Sequence, residues 1–101
     1  MDQQAKLKQF LKSVIGSATL YIQPPSTIKM TYPCLVCRLD AMDKKYADNK
    51  TYQKTNRYSL TYITKDSNDP NIDNIGILSM CRFDRTYTSN NLYHNSYELY
   101  F

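Results

Sequence analysis

The sequence predicts an α+β domain: an antiparallel or mixed sheet of four to five strands, with an N-terminal helix and a shorter second helix packed on one face. Three observations favour this class. Residues 2–15 carry an apolar stripe with helical spacing, five later segments have strand-like patterns, and Asp69-Pro70 is typical of a second helix start. A chain of 101 residues suits a single domain with one core, spanning residues 1–101.

The first element is an amphipathic helix over residues 2–15. Its apolar stripe follows the i, i+3, i+4, i+7, i+8 pattern, in the order Leu7, Phe10, Leu11, Val14 and Ile15. Asp2 is the predicted N-cap, and Gly16 stands where a left-handed residue commonly ends a helix. A stripe this short needs a sheet to cover it, which favours a packed helix over a membrane-binding one.

The next segments predict three strands and a long polar connection. Residues 17–23 form a short strand that ends at Pro24-Pro25, since proline cannot continue a ladder. Residues 35–39 form a buried strand, and residues 40–55 are predicted as an extended polar loop or hairpin tip. Residues 56–65 are the clearest strand, with Tyr58, Leu60 and Tyr62 on one face. The Tyr32-Pro33 bond allows either peptide isomer.

The second half predicts a helix followed by a hairpin. Asp69 caps the helix, Pro70 occupies its first position, and we expect it to end near Ser79 or Met80. Residues 81–87 and 93–101 alternate as strands around a four-residue turn at 88–91. Cys81, Phe83, Arg85 and Tyr87 are predicted to share one face. The predicted core packs the helix residues Leu7, Phe10, Leu11 and Val14 against Leu35, Tyr58, Leu60, Tyr62, Phe83 and Leu99.

The three cysteines suggest a zinc site only superficially. Cys34 and Cys37 have CxxC spacing, and Cys81 and His94 would complete four ligands. In a strand, however, residues three apart point to opposite faces, and Leu-Val is a poor turn. We therefore expect small core residues and no bound metal. An odd number of cysteines also gives no closed disulfide framework, which is typical of a reducing compartment.

No catalytic constellation is visible, so we expect a protein that is not an enzyme and has no cofactor. One histidine and two glycines leave no material for a nucleophilic triad or a glycine-rich phosphate loop. A Mg²⁺-dependent nuclease built on Asp40, Asp43 and Asp48 with Lys44 or Lys45 is the open alternative. Clustered Asp and Lys in a polar segment are more often solvated surface.

Charge and hydropathy indicate a surface for association. The net charge of +4 is uneven, because residues 38–57 hold six basic against three acidic residues, whereas residues 65–73 hold one basic against three acidic. This asymmetry suits a nucleic-acid face or unlike surfaces that meet between identical subunits.

No run of about 18 apolar residues predicts a membrane span, and the N-terminus lacks a secretion-signal pattern, so we expect a cytoplasmic origin.

The polar segment before the central strand is the predicted contact region. Two tyrosines flank charged and amide side chains there, without an apolar periodicity that would assign them to a core. The candidate interface residues are Tyr46, Asp48, Asn49, Lys50, Tyr52 and Arg57. The alternative is a solvated hairpin tip. Arg57 and the neighbouring tyrosines also suit stacking on single-stranded bases, although the RNP-type aromatic pattern is absent.

Several motifs together resemble a family of small bacteriophage morphogenesis proteins. These motifs are QPP (23–25), YPC (32–34), YADNKTY (46–52), Arg57-Tyr58 with Thr61, and CRFDRTYTSNNLYHNSYELYF (81–101). The family is described as tail-completion, tail-terminator or minor capsid proteins of long-tailed phages, and it is similar to the lambda tail terminator. The resemblance covers most of the chain, although none of its motifs is catalytic.

The resemblance implies a virion structural protein in the neck, assembled in the cytoplasm of the bacterial host. Such a subunit would form a homo-oligomeric ring, as a hexamer, that ends the tail tube and joins it to the head. Its partners would be other copies of itself, the major tail tube protein and a head-completion or connector protein. DNA would pass through the lumen without specific binding, and no membrane would be involved. The alternatives are another neck or head-closure ring protein and a small nucleic-acid-binding domain.

Overall fold

The computed structural model describes residues 3–25, 27–47 and 50–101 and has the predicted α+β class. Helix α1 spans Gln3–Ile15 and helix α2 spans Pro70–Gly76. The five strands are β1 (Thr19–Ile22), β2 (Cys34–Ala47), β3 (Lys50–Thr64), β4 (Cys81–Ser89) and β5 (Leu92–Tyr100). The predicted N-cap Asp2 lies outside the described residues.

The strands form one mixed sheet in the order β1-β2-β3-β5-β4. β1 runs parallel to β2, and every other neighbouring pair is antiparallel. β3 is therefore the central strand, as its dense β-branched and aromatic sequence predicted. The Tyr32–Pro33 peptide bond in the β1–β2 connection is cis.

Both helices pack on the same face of the sheet, as predicted. Leu7, Leu11 and Ile15 of α1 and Ile75 of α2 are buried against inward-facing residues of β2, β3 and β5. Those strand residues are Leu35, Cys37, Tyr58, Leu60, Tyr62, Tyr97 and Leu99. The predicted core is thus confirmed except for Phe83, which is half exposed.

The two helix ends follow local chemistry. Gly16 adopts φ +63°, and its N–H donates to the Lys12 carbonyl, so it ends α1 in the predicted left-handed conformation. Asp69 caps α2, its carboxylate accepting from the Asn71 N–H, with Pro70 at the first turn. The predicted end of α2 near Ser79 or Met80 is wrong. The helix stops at Gly76, because the weak apolar periodicity after Ile75 no longer follows the core.

Residues 40–55 were predicted as an extended polar loop or a hairpin tip, and the structure has the hairpin, with longer strands than predicted. β2 continues to Ala47 and β3 begins at Lys50, so the two strands form one long hairpin. Their Cα partners run from Cys34–Ile63 to Ala47–Lys50, with register shifts after Leu39 and after Lys45. The tip residues Asp48 and Asn49 lie outside the described residues.

The C-terminal hairpin differs from the prediction in two respects. Its turn has two residues rather than four: Asn90 and Asn91 take φ +53° and +63°, which suits the twist of a tight hairpin. A register shift between Phe83 and Arg85 also inserts one extra residue in β4. Since a bulge reverses the alternation, Arg85 and Tyr87 lie on the face opposite Phe83 and Cys81.

Candidate functional site

The far end of the β2–β3 hairpin is a two-stranded extension that we call the arm (residues 41–47 and 50–55). β1 pairs with β2 only as far as Cys37, and β5 pairs with β3 only from Arg57 onwards. Within the described chain, the arm strands therefore pair only with each other. The extension contributes to an elongated molecule, 51 Å long and 26 × 23 Å across. A lone two-stranded ribbon is marginally stable in water, so such an arm suits a contact with another molecule.

The arm holds three of the six predicted interface residues. The backbones of Tyr46, Lys50 and Tyr52 lie next to its tip, whereas Asp48 and Asn49 lie outside the described residues. Arg57 lies at the opposite end, where the arm joins the sheet. The structure therefore brings the first three together in one extension, separate from Arg57.

Arg57 joins the base of the arm to the sheet. Its Nε donates to Asp40 Oδ2 at 3.0 Å. A hydrogen bond with the Tyr100 side chain, followed by the negative charge of Asp40, raises the pKa of Arg57. Asp40 sits at the register shift between Leu39 and Ala41, so the ion pair spans the bulge where the arm begins. Because Asp40 and Arg57 are both partly exposed, their ion pair adds little stability. Its main effect is to hold the direction in which the arm leaves the sheet at the bulge.

The face of the sheet away from the helices, which we call the outer face, is covered over part of β2 and β3. There the residues after β1 fold over it, and Met30, Tyr32 and Tyr21 pack against Cys34, Val36 and Ile63. The Tyr21 hydroxyl accepts from the Thr31 N–H at 3.0 Å and holds this segment in place.

The part of the outer face formed by β4 and β5 is more exposed and rich in arginine and aromatic side chains. Arg82 donates to Glu98 Oε2 at 2.7 Å. The Arg85 guanidinium lies 5.5 Å from the Tyr87 ring centre, and the Tyr87 ring stacks on His94 at 4.9 Å. His94 is on the outer face, where it is half buried beneath Tyr87. Arginine and tyrosine are enriched at protein–protein contacts, so this patch can accept a partner.

A second surface, missed by the sequence analysis, lies between α2 and β4. A groove of about 430 Å³ is lined by Ile72, Asp73, Gly76, Ile77, Phe83, Thr86 and Tyr97. Ile77, Met80 and Phe83 are 80%, 55% and 50% exposed, the three most exposed large apolar residues of the described chain. We call these lining residues, together with Met80, the α2–β4 groove. Gly76 was the one sequence signal for this surface, because glycine is a poor helix former and a helix that ends there leaves Ile77 uncovered.

The acidic residues of segment 65–73 are less available for contacts than the composition of the segment indicated. Asp69 accepts hydrogen bonds from Tyr62, Thr64 and Asn71, and Asp66 accepts from the Asn68 N–H. Both carboxylates therefore serve the turn that begins α2. Asp73 stays exposed in the wall of the α2–β4 groove.

The thiols are placed for packing. Cys37 belongs to the core beneath the helices, whereas Cys34 belongs to the cluster on the outer face, so the opposite-face prediction is confirmed. Burial raises the pKa of Cys34 to about 11 and that of Cys37 to about 12, which keeps both thiols protonated. Among residues 3–25, 27–47 and 50–101, no group of three or more His, Cys, Asp or Glu side chains converges on one point.

The described helices are too short and too polar to cross a membrane. Comparison of the chain with protein-family models and with curated proteins found no match to either.

Proposed function

We propose that this protein is the subunit of a homo-oligomeric ring in the neck of a long-tailed bacteriophage, where it ends the tail tube and joins it to the head. The observation that carries the proposal is the arm: a two-stranded extension without other sheet neighbours in the described chain. Because such a ribbon gains little stability alone, it is best explained as a contact element. The motif resemblance supplies the biological setting.

The distribution of surfaces supports a ring rather than a closed dimer. The arm continues β2 and β3 beyond the end of the other strands, whereas the α2–β4 groove lies at the β4 edge of the sheet. Two unlike surfaces at different places on one subunit allow head-to-tail association, which closes a ring when the rotation between subunits is suitable. The tail tube protein and a head-completion or connector protein are the further partners in this proposal.

A nucleic-acid-binding domain is the second candidate, and the arginine and aromatic side chains of the outer face favour it. Arg57, Arg82 and Arg85 lie on that face with Tyr87 and Tyr100. Two of the arginines are paired with Asp40 and Glu98, however, which lowers the charge available for phosphates.

Solution mass and DNA binding separate the two candidates. For the ring, sedimentation of the purified chain should give a discrete species near six times the 11.8 kDa subunit mass. Labelled single-stranded DNA should bind weakly, without sequence preference. A stable monomer that binds single-stranded DNA tightly, with affinity falling steeply as salt rises, would instead favour the nucleic-acid-binding domain.

A further inference from the structure

β4 presents an open backbone edge. It is the outermost strand of the sheet, and all its residues after Cys81 are exposed. The two-residue turn closes on the Ser89–Leu92 pair, which in such hairpins exchanges both backbone hydrogen bonds. Because the ladder alternates, the N–H and C=O groups of Thr86 and Thr88 point away from β5. An exposed edge of this length is a template for a further strand.

The α2–β4 groove borders this edge on the helix side. Phe83 belongs to both features, because it lies on β4 and lines the groove. Asp73 lines the groove as well, and the exposed Asp84 follows Phe83 in the β4 bulge. On the helix side, a strand that adds to β4 would therefore meet apolar side chains and the Asp73 carboxylate, whereas Arg82 and Arg85 lie on the outer face.

The arm has the complementary properties. Its strands have free edges in the described chain, and residues 41–55 contain four lysines (Lys44, Lys45, Lys50 and Lys54) against two aspartates. It also contains the tip tyrosines Tyr46 and Tyr52. The arm cannot reach the β4 edge of its own chain by extending the sheet, because β5 lies between β3 and β4. The occupant that fits is the arm of a second copy.

We propose that the arm of one subunit adds to the β4 edge of the next subunit and covers its α2–β4 groove. The inference rests on the proposed ring and identifies the two surfaces that meet in it. Each subunit carries one arm and one β4 edge, so the contact is head-to-tail and every copy both donates and accepts. The net positive charge of residues 41–55 favours contact with a groove that contains Asp73 over contact between two arms.

The test uses variants of the whole chain, each of which disables either the β4 edge or the arm. Thr88→Pro removes an outward N–H without touching the β4–β5 ladder, since proline is tolerated on an edge strand. Thr88→Ala keeps that N–H and is the matched control. Lys44→Glu/Lys54→Glu reverses the arm charge at two residues that are Cα partners, so a like-charge pair is retained within the arm. Masses are measured by sedimentation velocity and folding by circular dichroism.

We expect the wild type and the Thr88→Ala variant to assemble. The other two variants should fold but sediment as monomers, with association at least about tenfold weaker than that of the wild type. Mixing those two variants should give one-to-one dimers and nothing larger, because the mixture has one working arm and one working edge per pair. If Thr88→Pro unfolds, Ile77→Lys in the exposed groove wall replaces it.

The remaining outcomes are distinguishable. A folded Thr88→Pro variant with the wild-type mass would overturn the arm-to-β4 contact and leave the ring proposal intact. An arm variant that stays dimeric alone would indicate a symmetric β4–β4 contact and also overturn the inference. A wild-type chain that is monomeric at every concentration would overturn the ring itself.

Discussion

Replacing Asp69 by alanine should destabilise the protein more than any other single change in the turn before α2. The Asp69 carboxylate accepts from Tyr62 Oη at 2.8 Å, from Thr64 Oγ1 at 3.1 Å and from the Asn71 N–H at 3.0 Å. The Asn71 side chain in turn donates to the Ile15 carbonyl at the end of α1. One carboxylate therefore links β3, α2 and the end of α1.

The expected loss follows from two contributions. Removing an N-cap costs about 1 kcal/mol. Tyr62, which has no solvent exposure, would also lose its acceptor, and a buried unsatisfied hydroxyl costs about 1–3 kcal/mol. We expect Asp69→Ala to lower the free energy of unfolding by about 2–4 kcal/mol, measured by urea denaturation with circular dichroism. Asp66→Ala is the control, since exposed Asp66 only caps the Asn68 N–H, and it should cost less than about 1 kcal/mol.

A double-mutant cycle tests the reason behind this loss. In the Tyr62→Phe background the Tyr62 hydroxyl is already absent and cannot be left unsatisfied, so Asp69→Ala should cost about 1–2 kcal/mol less than in the wild type. If Asp69→Ala costs no more than Asp66→Ala, or if its cost is the same in both backgrounds, the carboxylate does not join these elements as described.

Three further predictions concern the core, the pH dependence and the arm. Leu60→Ala should cost about 2–5 kcal/mol in urea denaturation, because Leu60 is fully buried beneath the helices, whereas the half-exposed Leu39 should lose less on the same truncation. Burial raises the pKa of Tyr62 to about 12. Above about pH 10 the unfolded chain therefore releases a proton that the folded chain retains, so the free energy of unfolding should fall as pH rises towards about 12, and less so for Tyr62→Phe. The Tyr46→Ala/Tyr52→Ala variant should keep its folding stability within about 0.5 kcal/mol but lose ring assembly in sedimentation.

Each of these has a contradicting result. Equal losses for the two leucine truncations would contradict the difference in burial between Leu60 and Leu39. A free energy of unfolding that stays constant into the alkaline range would contradict a buried Tyr62 hydroxyl. Collapse of folding in the double tyrosine variant would place those side chains in the core, and intact assembly would make the arm tip a solvated hairpin.

Periodicity predicted the parts of the fold that bury one face. The stripe of α1 and the alternation of Tyr58, Leu60 and Tyr62 are each imposed by the core, so they are visible in the sequence and correctly place the helices on one side. Residues 40–55 lack this signal, because paired strands without further sheet neighbours need no buried face. These residues pair because they continue the β2–β3 register that the buried part of the two strands sets.

The surfaces depend on single-residue events that composition does not reveal. One extra residue at Asp84 turns Arg85 and Tyr87 to the outer face, whereas strict alternation had placed them with Phe83. Helix α2 ends one turn earlier than predicted, which leaves Ile77 uncovered beside Phe83. The contact of Arg57 with Asp40 joins residues 17 apart across a bulge, and no local pattern predicts it.

Under the proposed function this gene belongs to a long-tailed phage, and the most direct test is its deletion from such a phage, followed by electron microscopy of the lysate. A ring that ends the tail tube and joins it to the head makes a specific prediction: heads should fill with DNA, but they should remain separate from tails of irregular, extended length. Supplying the chain in trans should restore joined particles with tails of normal length, and the Tyr46→Ala/Tyr52→Ala variant should fail to do so. Joined particles with tails of normal length in the deletion lysate would contradict the account.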